Sequence, residues 1–317
     1  MRSKGVSRVS SNGSETKSGV AVIGLGSMGF GMASSVLRHG HAVVGYDPSP
    51  AAAARLAAAG GTAAASPAEA ARRVSVVLCV VVNSAQTEAV LFAENGAFPV
   101  MAPGSVFVSS ATMAPADARR LAARLAERDI LYLDAPISGG AAKAADGALT
   151  VMASGSTAAF DRAADVLDAI STKVYRLGSE PGIGASVKMI NQHLAGVHIA
   201  AACEAMVLAS KLGLDLATVY EVIAASAGNS WMFENRVPHI LEGDYRPLSS
   251  IEIFVKDLGI LQDMVRAERY PAPLAAAALQ MYLATSGAGM GAEDDASVAR
   301  TYAALSGAAL PALKSTS

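Results

Sequence analysis

Cysteine, tryptophan and net charge are all scarce in this chain: two cysteines, one tryptophan and a charge of −2 across 317 residues. Cys79 and Cys203 lie too far apart in sequence to form a disulfide framework or a zinc site. They read as two buried thiols in a reducing, cytoplasmic setting. A charge this close to zero argues against electrostatic binding of nucleic acid. The Ala-rich stretches are broken by Arg, Asp, Glu and Gly, so no apolar run is expected to reach the length and purity of a membrane span. The five histidines are scattered, and no G-x-S-x-G elbow occurs; neither a metal nor a covalent nucleophile is expected. No internal repeat is found. Residues 1–18 are basic and rich in Ser, lack the apolar segment of a secretory signal, and read as a disordered tail.

Apolar side chains, by contrast, make up 52% of the residues, and the length suits two domains. Strands are expected at Val20–Ile23, His41–Tyr46, Val74–Val82, Ser105–Ser109, Ile130–Asp134, Leu149–Ser154 and Lys173–Leu177. Helices are expected between most of them: Ser27–His39, Pro50–Ala59, a short one capped by Ser66, Ala116–Arg128 and Ala158–Ile170. Such alternation gives a doubly wound, mostly parallel α/β sheet of the Rossmann type. Beyond Pro181 only helical periodicity remains. A long helix is marked by Val187, Ile190, Leu194, Val197 and Ala201 along one face, with further helices near 215–225, 251–268 and 273–286. The expected organisation is a nucleotide-binding domain over 19–180 and an all-helical substrate and oligomerisation domain over 181–317, joined by the long helix.

The segment VAVIGLGSMGFGMASSVLRHGHAVVGYD, Val20–Asp47, carries six glycines and stops on a carboxylate. Gly24, Gly26 and Gly29 form G-x-G-x-x-G between a strand and a helix. The first permits the turn, the second lets a pyrophosphate approach the backbone, and the third lets helix and strand pack closely. Leu25, Ser27 and Met28 complete the loop, whose free N–H groups and helix dipole favour phosphate. Asp47 ends the second strand, 18 positions after Gly29, where its carboxylate can accept the adenosine ribose hydroxyls and repel a 2′-phosphate. Asp47-Pro48-Ser49 offers no arginine, so NAD rather than NADP is expected. Val82 and Asn83 close the third long strand and are expected to line the cofactor cleft.

Four motifs in order resemble the β-hydroxyacid dehydrogenases, whose members include the 3-hydroxyisobutyrate, tartronate semialdehyde and 6-phosphogluconate enzymes. GLGSMGFGMA (24–33) resembles the family's opening, DAPISGG (134–140) its substrate segment, GASVKMINQ (184–192) its catalytic helix, and VKDLG (255–259) its late Lys-Asp pair. The resemblance spans about residues 20–305. LAGVHIAAACEAM (194–206), AGNSWMFENR (227–236) and GALTVMASGS (147–156) resemble the L-threonate dehydrogenase branch. That branch implies NAD-dependent oxidation of a four-carbon sugar acid at C2, giving 2-oxotetronate, by a homodimer or homotetramer. Two positions depart from the family. Ala111-Thr112 stands where the family has Ser-Thr, leaving Thr112 the single hydroxyl beside the nicotinamide, and Gln192 stands where it has Asn.

Alcohol oxidation needs a hydride acceptor and a base for the hydroxyl proton. Lys188, on the junction helix, is expected to be that base, and burial together with nearby positive charge would keep its amine neutral. Gln192 lies one turn on, and Asn191, three positions on, is its rival for orienting the reacting hydroxyl. Ser138, Gly139 and Gly140 are expected to bind the substrate carboxylate through backbone N–H groups and a hydroxyl. The resemblance places Lys256 against cofactor or substrate; without it, Lys256 and Asp257 read as a solvated face. Asn229, Ser230 and Trp231 border the substrate pocket in this reading, with the indole more suited to core packing. Rival readings are a tartronate semialdehyde or 3-hydroxyisobutyrate enzyme, a non-catalytic dinucleotide-binding regulator, and an imine reductase. The presence of Lys188 counts against the last two.

Overall fold

The computed structural model describes residues 17–314, so the tail expected over 1–18 lies outside it except for Lys17 and Ser18. Those two belong to the first strand. The first half runs β1 (Lys17–Ile23), α1 (Ser27–Arg38), β2 (His41–Tyr46), α2 (Pro50–Ala58), β3 (Thr62–Ala63), α3 (Pro67–Ala71), β4 (Val76–Cys79), α4 (Ser84–Phe92), β5 (Val106–Ser109), α5 (Pro115–Ala126) and β6 (Leu131–Asp134). These strands form one six-stranded sheet in the order β3-β2-β1-β4-β5-β6, with every pair parallel. β4 and β5 are buried along their whole length, as their unbroken apolar sequences require when helices cover both faces.

The chain then forms β7 (Ile137–Ser138), α6 (Gly140–Asp146), β8 (Leu149–Ala153), α7 (Thr157–Ile170) and β9 (Ser171–Arg176). Strands β7-β8-β9 make a separate small sheet, β7 antiparallel and β9 parallel to β8. It joins the large sheet through one antiparallel bridge, Asp134 to Ser154. The last two expected strands therefore exist but do not extend the main sheet.

The remainder is helical: α8 (Ile183–Lys211), α9 (Leu216–Ala224), α10 (Trp231–Glu242), α11 (Ile251–Ala267), α12 (Pro273–Thr285) and α13 (Val298–Ser306). α8 is long and apolar enough to cross a bilayer by length and composition, although half of its most apolar window is buried inside the protein. One expectation about α8 is corrected: the stripe Val187, Ile190, Leu194 faces outward, with Ile190 58% exposed. The inward face carries Ala195, Gly196, Ile199, Ala200 and Cys203 instead. Small residues win that face because the helices approach closely: a Cβ on Gly196 would lie 3.0 Å from the Phe254 ring and 3.1 Å from Leu258.

Candidate active site

Strand β1 delivers the glycine loop to the carboxyl edge of the sheet. Gly24 has φ +91°, and a Cβ there would sit 2.4 Å from the Val80 carbonyl oxygen; one on Gly29 would sit 1.8 Å from the Gly24 carbonyl oxygen. Both positions exclude a side chain, the first by conformation and contact, the third by contact alone. A Cβ on Gly26 would meet nothing within 4 Å, so open space lies before the backbone where the motif expects pyrophosphate. No side chain caps α1, which leaves its first-turn N–H groups, Ser27 and Met28 among them, available to an anion. Asp47 accepts from Leu25 N–H at 2.7 Å and from Ser49 N–H at 2.8 Å, one bond on each oxygen. Each oxygen keeps a further lone pair for a ribose hydroxyl. Three strands across the sheet, just past β5, Ser110 is buried and its hydroxyl has no partner among the described residues. Open space, free amides and an orphaned hydroxyl along one sheet edge fit a dinucleotide.

β4 ends at Cys79, short of the expected Val82, because its partners β1 and β5 end level with it at Ile23 and Ser109. Val82 and Asn83 lie beyond it. Val82 is exposed, and Asn83 caps α4 by accepting from Gln86 N–H at 2.8 Å. Thr112 is half-buried just after β5, its carbonyl 3.5 Å from the Lys256 amine.

The second half of the site forms where α8 leaves the sheet. Its entry is fixed by Asp134, buried at the end of β6. Asp134 Oδ2 accepts from Gly182 N–H at 2.9 Å and Ala185 N–H at 2.8 Å, and Ser154 Oγ accepts from Gly184 N–H at 2.9 Å. Burial pushes the Asp134 carboxyl up to about 6 against the pull of those amides. The first residue of DAPISGG thus holds the helix that carries the lysine, a role sequence reasoning missed.

Lys188 is 8% exposed, and its amine donates to the Ile137 carbonyl at 2.9 Å. Ile137 directly precedes the Ser138-Gly139-Gly140 turn, so the amine touches the backbone that leads into the expected carboxylate site. Gly139 and Gly140 both have positive φ, +140° and +77°, a backbone path that glycine takes without strain and that turns the chain between Ser138 and α6. Burial pushes the Lys188 amine down to about 8; Asp257 opposes this and Lys256 adds to it.

One turn along α8, the Gln192 amide donates to Asp257 Oδ2 at 2.6 Å and accepts from Asn191 at 2.9 Å. The other Asp257 oxygen takes the Lys256 amine at 2.5 Å. Asp257 is 1% exposed, so the reading of 256–257 as a solvated face fails for it. Asn191, Gln192, Asp257, Lys256 and Thr112 form one chain of polar contacts from α8 through α11 to the end of β5. Trp231 does not enter the core; it opens α10 with its ring exposed, while Ser230 caps that helix at Phe233 N–H, 3.0 Å. Asn229 bonds the Ala224 carbonyl at 2.9 Å and also Glu234.

A parallel sheet in this order, a glycine loop with an acidic ribose position, and a buried lysine between sheet and helices define a nicotinamide-dinucleotide oxidoreductase. Residues 19–178 match the NAD binding domain of 6-phosphogluconate dehydrogenase, and residues 182–302 match the NAD-binding domain of NADP-dependent 3-hydroxyisobutyrate dehydrogenase. The chain belongs to the β-hydroxyacid dehydrogenase family. It is 56% identical to an L-threonate dehydrogenase of Cupriavidus necator, covering 89% of this chain and 95% of that one. With an L-threonate dehydrogenase of Escherichia coli K12 it shares 49% identity over 93% and 97% of the two chains. A crystal structure from Salmonella typhimurium, described as 3-hydroxyisobutyrate dehydrogenase, superposes with TM-score 0.86 at 51% identity, covering 90% of this chain and all of that one.

Proposed function

We propose that this chain is an NAD-dependent dehydrogenase that oxidises L-threonate at C2 to 2-oxotetronate (2-dehydro-L-erythronate), with Lys188 as general base. The observation that carries the chemistry is the buried Lys188 amine, depressed to about 8 and seated against the carbonyl that leads into the Ser138–Gly140 turn. Near neutral pH such an amine exists in both protonation states, as proton transfer in either direction requires. The substrate rests on the relatives at 49–56% identity. The Salmonella structure carries a different substrate in its description, which makes 3-hydroxyisobutyrate the specific rival, with tartronate semialdehyde beside it.

NAD, when bound, supplies the hydride acceptor. Gly24, Leu25, Gly26, Ser27, Met28 and Gly29 would hold its pyrophosphate and Asp47 its ribose; Val82, Asn83, Thr112 and Lys256 would border the nicotinamide half. Ser138, Gly139 and Gly140 bind the substrate carboxylate through amides and a hydroxyl. Lys188 takes the C2 hydroxyl proton. Gln192 orients that hydroxyl through its second amide N–H or the remaining lone pair of its oxygen, one N–H being held by Asp257, and Asn191 holds Gln192 in place by donating to that oxygen. The reading divides the chain into a cofactor domain over 19–180 and a helical substrate domain over 181–317. It includes a homodimer or homotetramer that covers the outward apolar stripe of α8, and a cytoplasmic location in keeping with two free, buried cysteines.

The test is NADH formation, followed by absorbance, with L-threonate, D-threonate, both erythronates, 3-hydroxyisobutyrate and glycerate. Turnover of L-threonate well above the others supports the proposal. Turnover of 3-hydroxyisobutyrate in its place would keep the lysine mechanism and discard the substrate.

A further inference from the structure

The sequence around Asp47 offers no arginine, yet the fold brings one to the same spot. Arg55 lies on α2, eight positions after Asp47. Its Nη2 donates to the Leu25 carbonyl at 2.7 Å, while Asp47 accepts from the Leu25 N–H at 2.7 Å. An anion and a cation thus grip the two ends of one residue in the middle of the glycine loop. The guanidinium is further oriented by the Phe30 ring, 4.2 Å below it. Arg55 is exposed, and no acidic side chain lies within ion-pair distance of it among the described residues. One bond to Leu25 leaves it several unused N–H donors. At the other end of α2, beside Asp47, Ser49 heads the helix without using its hydroxyl as a cap.

We propose that Arg55 is a latent 2′-phosphate ligand, and that the single carboxylate of Asp47 holds this chain to NAD. The proposal rests on the reading of NAD as cofactor. With Asp47 ionised, a 2′-phosphate meets a negative charge at the ribose edge, and the field of Arg55 is cancelled there. With that charge removed, the same edge presents a fixed guanidinium able to make charge-assisted bonds to phosphate oxygens.

Asp47→Asn is the decisive variant, because its amide oxygen still accepts from Leu25 N–H and the loop keeps its anchor. The ratio of kcat/KM with NAD to kcat/KM with NADP is measured for the wild type, Asp47→Asn, and Asp47→Asn with Arg55→Met. Asp47→Asn is expected to lower the ratio by about 100-fold or more. Adding Arg55→Met is expected to lower NADP kcat/KM by about 10–100-fold, the worth of a lost charge-assisted hydrogen bond, and NAD kcat/KM by much less. If Asp47→Asn gains no use of NADP while retaining NAD turnover, the proposal is overturned. It is equally overturned if Arg55→Met weakens both cofactors alike, since the arginine then only braces the loop. A wild type that prefers NADP contradicts the cofactor reading beneath the proposal, and wild-type silence on every hydroxyacid contradicts the assigned reaction. Either is distinct from a failure of the variants.

Discussion

At the nucleotide end of the site, Gly24, Gly26 and Gly29 act within six consecutive residues, and their work is done by backbone. At the proton-transfer end, side chains reach groups far apart in sequence: Lys188 the Ile137 carbonyl across 51 positions, Gln192 the Asp257 carboxylate across 65, and Lys256 the Thr112 carbonyl across 144. The first end is a mostly local geometry, set by a strand, a tight turn and a helix that follow one another in sequence. The second exists only once sheet and helices are packed. Substitutions at the two ends are therefore expected to fail in different ways.

The largest effect belongs to the lysine. Lys188→Ala is expected to lower kcat by about 10²–10⁴-fold, the usual worth of a general base, with the dissociation constant for NAD nearly kept. Steady-state kinetics and NAD titration by fluorescence check the pair of outcomes. A parallel loss of NAD binding would merge the two ends that the structure separates. Asp134→Ala leaves the Gly182 and Ala185 N–H groups without their acceptor. It is expected to destabilise the fold by about 2–4 kcal/mol in denaturant unfolding, whereas Asp134→Asn, which retains an oxygen for both, stays close to the wild type. At the nucleotide end, Gly29→Ala forces a Cβ into the Gly24 carbonyl. It is expected to cost about 100-fold in kcat/KM for NAD, with kcat at saturating NAD far less affected.

That contrast also explains what could be read in advance. Five of the six parallel strands, the glycine loop and Asp47 were legible because periodicity and motif spacing are local. β3, β7 and α6 were too short for a periodic signal, and α4 lacked a clear amphipathic stripe; α10 carries one, Phe233, Val237 and Ile240, that the reading of 227–236 as a pocket segment passed over. The apolar stripe of α8 was visible but its direction was not, since the inward face is chosen by how closely Phe254 and Leu258 approach. Lys188, Gln192 and the Ser138–Gly140 turn were legible through resemblance; that Asp257 is buried between Lys256 and Gln192 was not, because its partners lie on other elements. Asp134 carried a signal, a carboxylate closing an apolar strand, but its targets are backbone amides that no side-chain pattern marks. Arg55 was missed for the same reason, its partner being a carbonyl 30 positions earlier.

The smallest effects sharpen the proton-transfer end. Asp257 raises and Lys256 lowers the Lys188 amine, so their removal acts in opposite senses. Asp257→Asn is expected to move the pH limb of L-threonate oxidation downward by less than about one unit, and Lys256→Met to move it upward. Shifts in the same direction would show that the two side chains act on the fold rather than on the lysine charge.

The most direct test of the whole account is the pH dependence of kcat/KM for L-threonate in the wild type. Oxidation needs the neutral amine, which is scarce below its pKa. The rate is therefore expected to rise with pH and level off above about 8. A profile flat across neutral and alkaline pH, or one that rises only near the ordinary lysine value, would contradict a buried Lys188 acting as the base.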